Sequence, residues 1–241
     1  MRAIILAGGK GERLRPLTDD RPKGMVEVAD RPILAYQIAW LRRYGVTDVT
    51  ISCGYLADVI QQYFGDGRGF GVRISYAIEA EPLGRGGGFR LALGEQPGSE
   101  PIIGTNGDII TNLDLAAVLR RHRAAGVLAT DVLVPLQSPY GIADLDERGY
   151  IAGFREKPML PYWLNGGIYI FEPQIRGLLP ERGDHEDTTF PRLAAQGQLL
   201  GHRTRAYWRP ADTAKDVAEL NRDLTGRDLD GFFGAAPADE G

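Results

Sequence analysis

Short apolar, β-branched runs alternate with stretches of helical periodicity through the first half of the chain. Residues 3–6 (AIIL), 46–54 (VTDVTISCG) and 72–78 (VRISYAI) read as strands, with helical patterns between them at 33–45 and 56–65. That alternation predicts βαβ units and a parallel sheet. In the helix starting near Pro32, the residues Leu34, Ile38 and Leu41 fall on one stripe, Pro32 suits the first turn and Gly45 suits the C-cap. A further strand, 101–105, ends in Asn106-Gly107-Asp108, and a helix follows from about Asp114 to Ala125. The pattern then changes. Residues 127–135, 142–145 and 151–155 read as strands, with Asp146-Glu147-Arg148-Gly149 as a hairpin turn, so the second half is expected to add antiparallel strands to the sheet. After a strand at 165–171 come short helices near 173–178 and 188–196 and a last helix from Thr213 to Leu224. From Thr225 onward periodicity is lost, which predicts one domain over 1–224 and a flexible tail over 225–241.

A chain of 241 residues can bury a full hydrophobic core as one α/β domain. Its 43% apolar and 25% charged residues are ordinary for a globular protein, and a net charge of −4 gives no electrostatic footprint for nucleic acid. Free nucleotide is still allowed, because it needs only local positive charge. Cys53 is the single cysteine, so no intrachain disulfide forms and a reducing compartment is expected. The N-terminus runs straight into a strand and glycines, with no room for a signal peptide, and no apolar run is of membrane-spanning length. The expected location is cytoplasmic, with no membrane partner.

The strongest local signal is Leu6 to Leu34, where a strand delivers glycines and then Lys10, Arg13, Arg15 and Lys23 within one long loop. Glycines let backbone N–H groups approach an anion closely, and the cations neutralise phosphate. Other glycine motifs fit less well. A P-loop needs Ser or Thr after Gly-Lys, but Gly11 and Glu12 follow Lys10. A dinucleotide fingerprint needs a third small residue opening a helix, whereas Leu14 stands there and Pro16 and Pro22 oppose a long helix. A dinucleotide-dependent oxidoreductase is rejected on those grounds.

Residues 6–18 (LAGGKGERLRPLT) and Arg21-Pro22-Lys23 resemble the signature loop of sugar-1-phosphate nucleotidyltransferases. The resemblance continues, in the family's order, through Asn106-Gly107-Asp108, Glu156-Lys157-Pro158, Asn165-Gly166-Gly167-Ile168-Tyr169 and Tyr207-Trp208. It implies an α/β fold, a Rossmann-like glycosyltransferase-A type three-layer sandwich with a mixed, mostly parallel central sheet. It also implies attack of a sugar 1-phosphate on the α-phosphorus of a nucleoside triphosphate, with pyrophosphate leaving. Arg13 then holds the β- and γ-phosphates, Lys23 the α-phosphate, and Asp108 binds Mg²⁺. Nucleotide contacts are implied at Leu6, Ala7, Gly8, Gly9, Gly11, Glu79, Gly84 and Asn106, and sugar phosphate contacts at Gly141, Glu156, Lys157, Asn165 and Gly167. A second metal carboxylate is expected in the family's Trp-x-Asp-x-Gly-Thr. Here the segment is Trp208-Arg209-Pro210-Ala211-Asp212-Thr213, with proline at the acid's place. Asp212 either reaches the metal from two residues further along an extended segment or N-caps the last helix.

Glu79 falls where the family reads the base. An ionised Glu only accepts hydrogen bonds, which suits the adjacent N1–H and N2–H₂ donors of guanine, so GTP is the expected donor. The run Pro82-Leu83-Gly84-x-Gly86-Gly87 resembles heptose 1-phosphate guanylyltransferases more than mannose ones, and the acceptor is expected to be a mannose-, heptose- or cyclitol-type phosphate. UTP, dTTP or CTP are the alternative donors. A non-catalytic, nucleotide-sugar-binding regulatory subunit is the alternative class, and the intact Arg13, Lys23, Asp108 and Lys157 oppose it. Whether the chain forms a homo-oligomer stays open, because sequence does not separate an exposed apolar stripe from core.

Overall fold

The alternating pattern becomes a seven-stranded mixed sheet in the computed structural model, which describes residues 1–94 and 98–234. Its strands are β1 (Arg2–Leu6), β2 (Asp48–Cys53), β3 (Arg73–Ile78), β4 (Ile102–Asn106), β5 (Ala129–Gln137), β6 (Met159–Phe171) and β7 (Leu199–Arg203). They lie in the order β7-β5-β6-β4-β1-β2-β3. The βαβ half is parallel, β1 pairing with β2 and β4 and β2 with β3, while β6 runs antiparallel between β4 and β5. The helices are α1 (Ile33–Arg43), α2 (Ala57–Phe64), α3 (Gly84–Leu93), α4 (Leu115–Ala125), α5 (Thr189–Ala195), α6 (Ala214–Leu224) and α7 (Leu229–Gly234).

Side chains alternate across a strand, and here both faces are covered. Ala3 and Ile5 of β1 and Ile168 and Ile170 of β6 join Leu34, Ile38 and Leu41 of α1, Val118 of α4 and Leu220 of α6 in one cluster. Ile4, Tyr169 and Phe171 instead join Phe89 and Leu93 of α3 and Phe190 and Leu193 of α5. The result is the expected three-layer sandwich. Among the described residues no helix is long and apolar enough to cross a membrane.

Three differences from the sequence reading stand out. The strands Ile142–Leu145 and Ile151–Arg155 form a ribbon of their own outside the central sheet, around the predicted turn in which Gly149 N–H bonds Asp146 O. Residues 84–93 form a helix that the glycine run conceals. Gly86 and Gly87 are buried against residues 180–183, where added Cβ atoms would meet Pro180 Cγ at 2.7 Å and Glu181 O at 2.6 Å. Close packing offsets the helix cost of glycine here.

The third concerns the predicted flexible tail. Leu229–Gly234 is helical, with Phe232 and Phe233 buried in the core and Phe232 edge-on to Tyr207. That expectation is therefore corrected for this stretch, because one and a half turns are too short to show periodicity. Residues 235–241 lie outside the described residues. Phe232→Ala is expected to cost about 3–5 kcal/mol in urea unfolding. A loosely attached tail would instead give a change within about 0.5 kcal/mol.

Candidate active site

Open α/β sheets bind ligands beyond the C-terminal ends of their parallel strands. At the ends of β1 and β4 lies a cavity of about 560 Å³. One wall is the glycine loop, Leu6 to Gly9 with Arg13, Lys23 and Gly24. A second runs through Asn106 to Ile109 at the end of β4, Asn165 to Gly167 of β6, and Trp208, Pro210 and Asp212. Glu79, Pro82, Gly84, Arg85 and Asp184 form the third. As expected from the two prolines, the loop makes only short 3₁₀ turns, Glu12–Leu14 and Lys23–Met25.

At its centre the Lys23 ammonium donates to Asp108 Oδ2 at 2.5 Å and to Asp212 Oδ1 at 2.6 Å. Arg13 adds a bond to the same Asp212 oxygen at 3.2 Å. Burial disfavours the charged ammonium of Lys23, but the two carboxylates outweigh that and hold its pKa above the ordinary lysine value. Asp212 does not cap the last helix. Thr213 does, in a capping box in which its hydroxyl accepts from Asp216 N–H and the Asp216 carboxylate accepts from Thr213 N–H. The carboxylate of Asp212 is thereby free to face the cavity.

The backbone fixes both acids side by side. Trp208–Pro210 pairs antiparallel with Ile109–Thr111, and one residue beyond this ladder Ala211 N–H bonds Asp108 O at 2.8 Å. Gln37, buried on α1, spans both flanks of Asp108, its Nε2 donating to Asn106 O at 2.6 Å and to Ile109 O at 2.8 Å. Gly107 N–H bonds Leu6 O at 2.7 Å, and any Cβ at Gly107 would meet that oxygen at 2.6 Å, so the turn carrying Asp108 closes only on glycine. Trp208 Nε1 donates to Gly166 O at 2.8 Å, tying this strand to β6.

Two carboxylates converge here, and no group of three or more metal-ligating side chains occurs among the described residues. Such a pair fits Mg²⁺, which takes one or two carboxylates and completes its octahedron with waters and substrate phosphates.

On the third wall, Glu79 is half-buried rather than turned to solvent. Its Oε1 accepts from Ser52 Oγ at 2.9 Å and its Oε2 from Leu83 N–H at 3.1 Å. Neighbouring Cys53 is buried, and burial followed by the Glu79 charge pushes its thiol up to about 11, which leaves no thiolate nucleophile.

Leu6, Ala7, Gly8, Gly9, Arg13, Lys23, Glu79, Gly84, Asn106, Asp108, Asn165, Gly167 and Asp212 thus all line one cavity. Gly11, Gly141, Glu156 and Lys157 lie outside its lining. Gly11 backs Lys23, its position 3.1 Å from Lys23 Cβ if a Cβ were added. Gly141 lies against Phe154 and Glu156, and Glu156 and Lys157 are exposed, with Lys157 in the left-handed region at φ 46°. Sequence reasoning missed Gln37, whose only signal is a polar residue on the buried stripe of α1. It also missed Arg85 and Asp184, which pair across the third wall at 2.8 Å, far apart in sequence.

A family model described as nucleotidyl transferase matches residues 2–226. A UTP–glucose-1-phosphate uridylyltransferase of Synechocystis sp. is 34% identical over 82% of this chain and 56% of its own length. A mannose-1-phosphate guanylyltransferase of Mycobacterium tuberculosis is 34% identical over 92% of this chain and 64% of its own length. The chain thus spans about three fifths of these relatives. Among solved structures, HddC from Yersinia pseudotuberculosis superposes with a TM-score of 0.75 at 25% identity, covering 93% of this chain and 99% of that one. A putative glucose-1-phosphate thymidylyltransferase from Bacillus anthracis shares the fold, with a TM-score of 0.76 at 23% identity over 97% of this chain and 99% of that one.

The Gln37 clamp carries a stability cost that can be read directly. Gln37→Leu strips the donor from two carbonyls beside Asp108 and is expected to destabilise by about 1–3 kcal/mol in urea unfolding. An unchanged midpoint would mean that the turn holds Asp108 without it.

Proposed function

The chain belongs to the nucleotidyl transferase family, and on that footing we propose that it joins a nucleoside monophosphate, from GTP, to a sugar 1-phosphate. The observation that carries this reading is the meeting of Arg13 and Lys23, from the glycine loop, with Asp108 and Asp212 at the mouth of the parallel strands. An oxygen of the sugar phosphate attacks the α-phosphorus, the bond from that phosphorus to the bridging oxygen breaks, and pyrophosphate leaves with the electron pair. No covalent enzyme intermediate is needed.

Catalysis of such a step is mainly placement of anions and offset of their charge. Arg13, exposed at the cavity rim, receives the β- and γ-phosphates, and Lys23 donates to the α-phosphate oxygens, where charge builds in the transition state. Asp108 and Asp212 would hold Mg²⁺, which when bound supplies further positive charge to the phosphates. Leu6 to Gly9 and Asn106 border the nucleotide. Asn165 and Gly167 border the sugar, and Gly141, Glu156 and Lys157, at the ends of the outer ribbon and outside the cavity lining, are assigned to it by the family resemblance alone. The acceptor is of mannose, heptose or cyclitol type, of which only mannose is named among the guanylyltransferase relatives, and the 1-phosphate is the part these residues address.

The base assignment rests on Glu79. Glu79 lines the cavity, and each of its oxygens accepts one protein hydrogen bond and retains a further lone pair, a set of acceptors that suits N1–H and N2–H₂ of guanine. Uracil or thymine offers a single donor there, N3–H, flanked by two carbonyl acceptors that an ionised Glu79 cannot satisfy.

A pyrophosphate-release screen that crosses the common nucleoside triphosphates with hexose, heptose and cyclitol 1-phosphates tests the whole reading. Activity is expected to be highest with GTP, and no release with any pair would overturn it. In the same assay Lys23→Ala should lower kcat by about 10²–10³ with little change in KM. Glu79→Gln is expected to shift preference from GTP toward UTP. Equal use of GTP and UTP by the parent protein would remove Glu79 from base recognition.

A further inference from the structure

We infer that Lys23 is the resident counter-ion of the cation site, its ammonium standing between Asp108 and Asp212 until a divalent cation replaces it and releases it toward the nucleotide. This inference rests on the carboxylate pair assigned above.

The geometry is that of a ligand rather than of a surface ion pair. Lys23 Nζ is in direct charge-assisted contact with both acids, 2.5 Å from Asp108 Oδ2 and 2.6 Å from Asp212 Oδ1, and its side chain is only 15% exposed. The two acids cannot move apart to relieve their repulsion, since the Ala211 N–H to Asp108 O bond locks their backbones together. The repulsion of like charges held close is relieved by a positive group between them. Lys23 can supply it and leave again without any change of fold. Its backbone is pinned by Met25 N–H to Pro22 O and Val26 N–H to Lys23 O, while the charge sits at the end of a flexible four-carbon stem.

A lysine in this place blocks the cation it precedes. Cation entry and delivery of Lys23 to the α-phosphate become one exchange: each carboxylate gives up an ammonium as it gains a metal, and the freed ammonium gains a phosphate. The protein without ligands keeps a neutralised site and holds divalent cations weakly by itself.

The consequence runs against intuition, since removing a group needed for turnover should improve metal binding. Mn²⁺ serves as the probe, titrated by electron paramagnetic resonance into the nucleotide-free full chain. Lys23→Met, which keeps the stem and drops the charge, is expected to bind Mn²⁺ about tenfold tighter than the parent, as loss of a competing charged hydrogen bond implies. Adding Asp108→Asn should abolish the gain. Equal or weaker binding by a folded Lys23→Met would overturn the inference. The parent protein gives a second reading that needs no variant: amine acylation followed by peptide mass spectrometry should find Lys23 protected, with Mn²⁺ alone exposing it. Labelling unaffected by Mn²⁺ would count equally against the exchange. Neither readout uses nucleotide, so a failure of the proposed reaction shows separately, as absent pyrophosphate release.

Discussion

Two carboxylates held side by side at the mouth of a parallel sheet constrain everything around them. Their charges must be met by a cation, and the segments that deliver the acids and the cation must arrive at one point. Lys23 is 85 residues from Asp108 and 189 from Asp212, so the centre exists only when the loop after β1, the turn after β4 and the strand before α6 are all in place. Each arrival has its own lock: the 3₁₀ turn at Lys23–Met25, the Gln37 clamp with its glycine turn, and the short ribbon of Trp208–Pro210 with Ile109–Thr111. The fold thus works as a device for bringing distant charges to one place.

That ribbon also explains how the second acid tolerates a shifted position. Pro210 ends the ladder opposite Ile109, and a proline there removes only a donor that an edge position does not need. The chain then runs on through Ala211, bonded to Asp108 O, and places Asp212 two residues beyond the proline with its carboxylate on Lys23. Capping of α6 falls to Thr213, one residue later, so cavity and helix make no competing demand on a single side chain.

The sequence made the framework legible wherever a periodicity was long enough or a motif local. The stripe of α1, the Asp114 cap of α4 and the turn at Asp146 to Gly149 are all set by near neighbours, and so was the glycine loop. Even the cap at Thr213 could have been read, since Thr213-Ala214-Lys215-Asp216 has the spacing of a capping box. Helix α3 was hidden because its glycines satisfy a tertiary demand, the backbone of 180–183 lying against them, which propensity does not record. The same holds for Arg85 and Asp184, 99 residues apart, and for Gln37, whose partners are carbonyls that any residue would carry. The outer half of β6 was missed for a different reason. Tyr162 and Leu164 are exposed there, so no buried alternation marks the strand.

The wall that carries Glu79 can accept either an acid or an amide, which makes the chemistry of this position separable from the fold. Both protein partners of the carboxylate are donors, Ser52 Oγ and Leu83 N–H. An amide in its place still offers one oxygen, enough for Leu83. Its NH₂ would then face Ser52, whose hydroxyl can donate to the Gly88 carbonyl, already 3.4 Å away, while its oxygen accepts from the amide. No buried donor or acceptor is stranded by that exchange, so the substitution leaves the local network satisfied. What changes is the face shown to the cavity, from acceptors only to a donor beside an acceptor. Under the proposed base assignment, the difference between acid and amide at this wall is one atom's capacity to donate, because the serine absorbs the change behind it.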